Sequence, residues 1–186
     1  MVPVRTASIT THINSQIATW RQQREKIDLD AKKRDPVRSP GVFVTVSREY
    51  GCGGFDIAEK TADIINRERR PSPQWVPYDR AILETIMEDL GLTSSLMETL
   101  TSPARKQIDD FLQTALGELP PQVVVYRRLA ETVRTLATNG NVIIVGRAGR
   151  AITRGLDRGY HVRIVAPLEW RVERIAGLCG LTRREA

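Results

Sequence analysis

The stretch that most restricts how this chain folds is GVFVTVSREYGCGGFDIAEKTADII, Gly41 to Ile65. It reads as a β-branched strand over Val42–Val46, a glycine-rich turn, and a helix from about Phe55 with Ile57, Ala58, Ala62 and Ile65 inward. The strand is apolar at successive positions, so both of its faces need cover, as in a parallel sheet lying between helices. The pattern repeats downstream. Val142–Val145 and His161–Val165 are further buried-strand signals, and Trp75–Val76 is a shorter one. Helices are expected over Ile82–Leu90 with Gly91 ending the segment, in pieces over 93–119 with a break near Pro103, over about 122–138, and from about Pro167. Alternating strands and helices predict an α/β fold, a parallel sheet covered by helices on both faces, with the Val42 strand internal.

The turn itself carries the chemistry. A strand that runs through Ser47–Asp56 into a helix gathers backbone N–H groups around one small volume, and the helix N-terminus adds positive partial charge. Gly51, Gly53 and Gly54 lack a Cβ and let the backbone approach an anion closely, with Cys52 between them. Phosphate binding follows from that context, although a glycine-rich turn alone is also a plain tight turn. Against the P-loop pattern G-x-x-x-x-G-K-[ST], the second glycine falls on Gly53. The lysine position then holds Gly54 and the hydroxyl position Phe55, or Asp56 with a shift of one. Arg48 stands at the first glycine position and is a candidate for the missing charge.

Before this body lies a different segment. Ile9, Ile13, Ile17 and Trp20 recur at helical spacing, continued by Arg24 and Ile27, and Pro36 and Pro40 stop the pattern. Residues 1–40 are thus an N-terminal amphipathic helix with a linker. Its stripe either docks on the chain's own body or joins a protein partner or second copy through residues 9–30. The net charge of +6 divides unevenly, +4 on residues 1–40 and +2 on the rest. Trp20 is the one aromatic residue of the extension, which argues against a nucleic-acid interface. Two cysteines and two histidines, far apart, argue against a disulfide framework, a zinc site or a Ser-His-Asp hydrolase. No run approaches the ~18 apolar residues of a membrane span, and Met1–Thr11 lacks a signal-peptide core, so a cytoplasmic protein without membrane contact is expected.

VTVSREYGCGGFDIAEKTA, YDRAIL, VIIVGRAGRAI, VRIVAPLEWRVERI and GLTRREA, in that order over residues 42–186, resemble the cytidylate-kinase-like family. The resemblance does not reach residues 1–40. It implies a P-loop nucleoside-monophosphate kinase fold over 41–186, with ATP and Mg2+ as cofactors and CMP or dCMP as phosphoryl acceptor. It further implies that Gly51–Gly54 hold the donor phosphates and that Tyr78, Asp79 and Arg80 line the acceptor site. Gly146 and Arg147 match the GR after the strand, where the arginine faces the acceptor nucleotide, and Arg171 and Arg174 match arginines on the helix leading to the lid. Simpler roles stand beside these: Arg80 opening a solvated helix, Asp79 forming a turn, Arg171 and Arg174 pairing with Glu169 or Glu173.

Two departures from the family pattern bear on activity. Phe55 stands where members often carry a basic residue, and Ala186 falls in the first residues of the expected lid, which leaves the 162–165 strand as an exposed edge. Either this chain is shortened, or a partner covers the edge, or the fold no longer turns over substrate; the last is the second functional reading, a nucleotide sensor, scaffold or subunit docked through its N-terminal helix. The sequence predicts weak binding of nucleotide or phosphate, with CMP turnover below typical kinase rates.

Overall fold

The computed structural model describes residues 4–31, 41–88, 90–100, 102–116, 124–146 and 148–186. Four strands, β1 (Phe43–Arg48), β2 (Val76–Tyr78), β3 (Val142–Val145) and β4 (Gly159–Ile164), form one sheet in the order β2-β3-β1-β4. Every pairing is parallel: Phe43 stands opposite Val142 on one side and Gly159 on the other. The expected fold class is what forms, and β1 is internal. Its pairing with β4 runs two residues beyond the apolar run, Ser47 with Arg163 and Arg48 with Ile164, so the strand delivers Arg48 to the carboxyl edge of the sheet.

The helices among the described residues are α1 (Val4–Ala31), α2 (Gly54–Arg69), α3 (Arg80–Glu88), α4 (Leu90–Glu98), α5 (Ser102–Leu116), α6 (Val124–Asn139), α7 (Gly149–Ile152) and α8 (Leu168–Cys179). The period-two alternation of β3 sorts them. Val142 and Ile144 join a core with residues of α1, α3, α4 and α6, whereas Ile143 and Val145 pack with Ala58 and Ala62 of α2 on the other face. The break expected near Pro103 falls between α4 and α5, and Pro103 itself occupies the first turn of α5, where the missing N–H costs nothing. Gly91 lies inside α4 rather than ending α3, and the Thr93 hydroxyl donates to the Ile86 carbonyl at 2.9 Å, tying α4 to α3.

The N-terminal stripe docks on the chain's own body. Ile13, Ile17 and Trp20 are buried among Tyr78, Ile86, Leu96 and Leu136. The side chains of Ile9, Arg24 and Ile27 and the linker at 32–40 lie outside the described residues. Gln16, also buried, anchors the helix: its amide nitrogen donates to the carbonyls of Gln74 (2.9 Å) and Asn141 (3.1 Å), and its oxygen accepts from the Tyr78 hydroxyl at 2.6 Å. These carbonyls precede β2 and β3, so α1 satisfies polar groups at the amino end of the sheet.

Arg134 of α6 is buried and donates to the carbonyls of Ile152 (2.7 Å) and Arg154 (3.1 Å), fixing α7 beyond the end of β3. Its guanidinium stacks over Phe111 at 3.9 Å, and burial lowers its pKa. Cover on both faces, expected for the whole sheet, stops short of β4. α2 packs over β1, β2 and β3, and the side chains of Tyr160 (64 % exposed) and Val162 (47 %) face solvent.

Candidate functional site

β1 ends at Arg48, and the chain turns through Glu49–Gly53 before α2 begins. The Cys52 N–H donates to the Glu49 carbonyl at 3.3 Å, and Gly51 and Gly53 take left-handed φ values of +85° and +66°. Gly53 is the N-cap of α2 and no side chain caps that helix, so its first turn faces the recess with backbone N–H groups. What a Cβ would meet explains all three glycines. At Gly51 it would lie 2.9 Å from Arg171 Cβ, at Gly53 2.8 Å from Arg174 Nη2, and at Gly54 3.0 Å from Arg48 Cγ. The turn is therefore packed on three sides by arginine side chains.

Those three arginines do different things. Arg171 is committed to the scaffold: Nε donates to the Ala166 carbonyl at 3.0 Å, Nη1 to the Tyr50 carbonyl at 3.1 Å, and Glu49 Oε2 lies 3.4 Å from Nε. Arg174 lays its guanidinium over Gly53 and pairs through Nη2 with Asp56 Oδ2 in the first turn of α2. Arg48 has no ion pair among the described residues. Arg48, Gly51–Gly54, Asp56, Asp79 and Arg174 line one recess of about 370 Å³ at the carboxyl edge of the sheet. That is where ligands bind in open α/β sheets.

The sequence profile of the cytidylate kinase-like family matches residues 43–186. The chain belongs to the cytidylate kinase-like family. It has a kinase-like fold, and the matched segment starts at the first residue of β1 and takes in the turn, the recess and α8. A solved structure, titled an uncharacterized protein from Eubacterium ventriosum ATCC 27560, is similar at a TM-score of 0.54 and 18 % identity. The likeness covers 77 % of this chain and 68 % of that one and bears on the fold alone. No curated protein matches the sequence.

The remaining family positions are spread unevenly. Asp79 lines the recess, and its Oδ1 accepts the Ile82 N–H at 2.9 Å, capping α3. Arg80 opens α3 with its side chain exposed and paired to Glu84 at 2.6 Å. Tyr78 is turned the other way: it is fully buried, its hydroxyl is held by Gln16, and burial pushes its pKa up. Gly146 donates its N–H to the Val46 carbonyl at 3.0 Å with open space where a Cβ would be, and Cys52 is buried in the turn. Arg147 lies outside the described residues. Asp56 and Glu49, partners of Arg174 and Arg171, were not singled out as site residues from sequence; an acidic residue in the first turn of a helix was the available signal for Asp56.

A second recess of about 420 Å³ runs beside β2 between α1 and α2, lined by His12, Glu59, Asp63, Arg67 and Trp75 among others. It holds no glycine turn. Among the described residues no three His, Cys, Asp or Glu side chains gather as a metal site, and no helix is long and apolar enough to cross a membrane.

Proposed function

We propose that this chain binds a nucleoside triphosphate at Gly51–Gly54 and transfers a phosphoryl group from ATP to CMP or dCMP. The observation that carries this reading is the Arg174 guanidinium lying over Gly53 beside the uncapped start of α2. A side chain from α8 thereby brings positive charge to the turn at which the loop's own lysine position holds Gly54. The choice of CMP or dCMP rests on family likeness.

The turn fits a polyphosphate because its left-handed glycines leave backbone donors bare of side chains. Arg174 and Arg48 add charge-assisted donors for phosphate oxygens, while Arg171 braces the turn against α8. Asp79 would hold Mg2+ together with phosphate oxygens and water, since this cation needs only one or two carboxylates when phosphates are present. The metal, when bound, offsets negative charge on the phosphates. Arg80, Gly146 and Arg147 are assigned to the acceptor side, where they orient the nucleoside monophosphate. Phosphoryl transfer asks the protein for positioning and charge stabilisation rather than covalent chemistry.

The test is a coupled ATP/CMP assay on the wild type beside Arg174→Ala and Arg147→Ala. Turnover slower than in typical kinases is expected, with each substitution lowering kcat by at least ~10-fold. CMP turnover indifferent to both changes would overturn the assignment. Nucleotide binding without turnover would move the chain to the sensor or scaffold reading.

A further inference from the structure

Arg174 is held by one point only. Nη2 meets Asp56 Oδ2, and no other hydrogen bond of this guanidinium is formed among the described residues. Asp56 is itself more than half exposed. The contrast with Arg171 is plain, since that side chain is spent on two carbonyls and Glu49 and has little to offer a ligand. Asp56 also sits in the first turn of α2, at the positive end of the helix, and shares the recess with the glycine turn. Its carboxylate is therefore a built-in anion at the place that suits one.

We infer that Asp56 is an internal stand-in for phosphate, holding Arg174 over the turn until an incoming polyphosphate displaces it. The inference rests on the reading of Gly51–Gly54 as a phosphate site. A single-point ion pair whose carboxylate is more than half exposed is weak. A phosphate can take the same guanidinium in a two-point contact and add the backbone donors of the turn, so it wins the exchange. The carboxylate then sets affinity: it neutralises Arg174 in the empty site and must be outcompeted by any ligand. The other charged groups lining the recess are Arg48, Glu49 and Asp79.

The experiment is calorimetric titration of inorganic triphosphate into the wild type, Asp56→Asn, Arg174→Ala and the double variant. The probe carries no base or sugar, so acceptor-side residues do not enter. Asp56→Asn is expected to bind triphosphate about two- to fivefold tighter than wild type, the range that an exposed ion pair represents. Arg174→Ala is expected to bind more weakly, and the gain from Asp56→Asn is expected to vanish in the double variant. A merely structural role for Asp56 would give a loss in place of that gain. Wild-type binding that Asp56→Asn leaves unchanged or weakens would overturn the displacement inference alone. So would a gain that persists without Arg174. Absence of triphosphate binding in all four proteins would remove the phosphate site and the displacement together.

Discussion

Gly53 and Arg174 occupy adjoining space, so a side chain at position 53 would have to shift the guanidinium. The left-handed φ of +66° at Gly53 disfavours any side chain, and a Cβ there would press on the guanidinium at 2.8 Å. Gly53→Ala is expected to cost about 1 kcal/mol of stability through the backbone. It is also expected to lower triphosphate affinity by more than the same substitution at Gly177, a helical position with nothing within 4 Å. Thermal denaturation and calorimetry on the two variants check both halves. The glycines could be read from sequence because their spacing lies within one turn. Arg174 is a candidate by family likeness, but its place over Gly53 is not legible, because it lies some 120 residues later in the chain. Tyr78 and Asp79 share the acceptor segment by family likeness, yet Tyr78 closes β2 with its side chain buried on Gln16, whereas Asp79, one residue past the strand, lines the recess.

At the level of elements, the β1–β4 pairing depends on the lack of a side chain at Gly159. The Phe43 ring lies over Gly159, its pairing partner, where a Cβ would stand 2.3 Å from Cζ. Phe43 is fully buried and meets His161 edge-on at 6.2 Å, so it has little room to yield. Gly159→Val is expected to destabilise by about 1–3 kcal/mol, in the manner of an overpacked core. Gly177→Ala, in an open helical position, is expected to stabilise by roughly 0.5–1 kcal/mol. Urea midpoints for the two variants should therefore move in opposite directions. The strands were legible because VFVTV is rich in β-branched residues and VIIV is apolar throughout, and α1 because its isoleucines keep a helical period. What those periods do not contain is the partner. Nothing in the spacing of Ile13, Ile17 and Trp20 distinguishes docking on Tyr78 and Leu136 from docking on a second copy.

Across the whole molecule, α1 lies outside the segment matched by the family but inside the core. Its removal would uncover the surface beneath Ile13, Ile17 and Trp20 and leave the Tyr78 hydroxyl and the carbonyls of Gln74 and Asn141 without Gln16. The burial of Ile13 and Ile17 is worth roughly 1.5–3 kcal/mol each, and Trp20 adds to it. Deleting residues 1–38 is therefore expected to abolish cooperative unfolding or lower Tm by more than 10 °C, a large shift for the several kcal/mol involved. Circular dichroism on the shortened chain decides this, and a body that unfolds as cooperatively as the full chain would contradict it. The sequence leaves open whether the extension docks on residues 41–186 or on a partner. Gln16 does not help to decide it: a single polar residue in an apolar stripe looks like an interruption until its partners are known.

The order β2-β3-β1-β4 has a consequence for how the chain is made. β1 is apolar and central, yet both of its neighbours are encoded about 100 residues or more after it. At ~5–20 residues per second, a growing chain leaves the ribosome with β1 unpaired for roughly 5–20 s. During that time VFVTV has two open edges and no closing contact, and the long loops must form before any pairing rewards them. The strand that later presents the glycine turn is thus, during synthesis, the segment most in need of a chaperone.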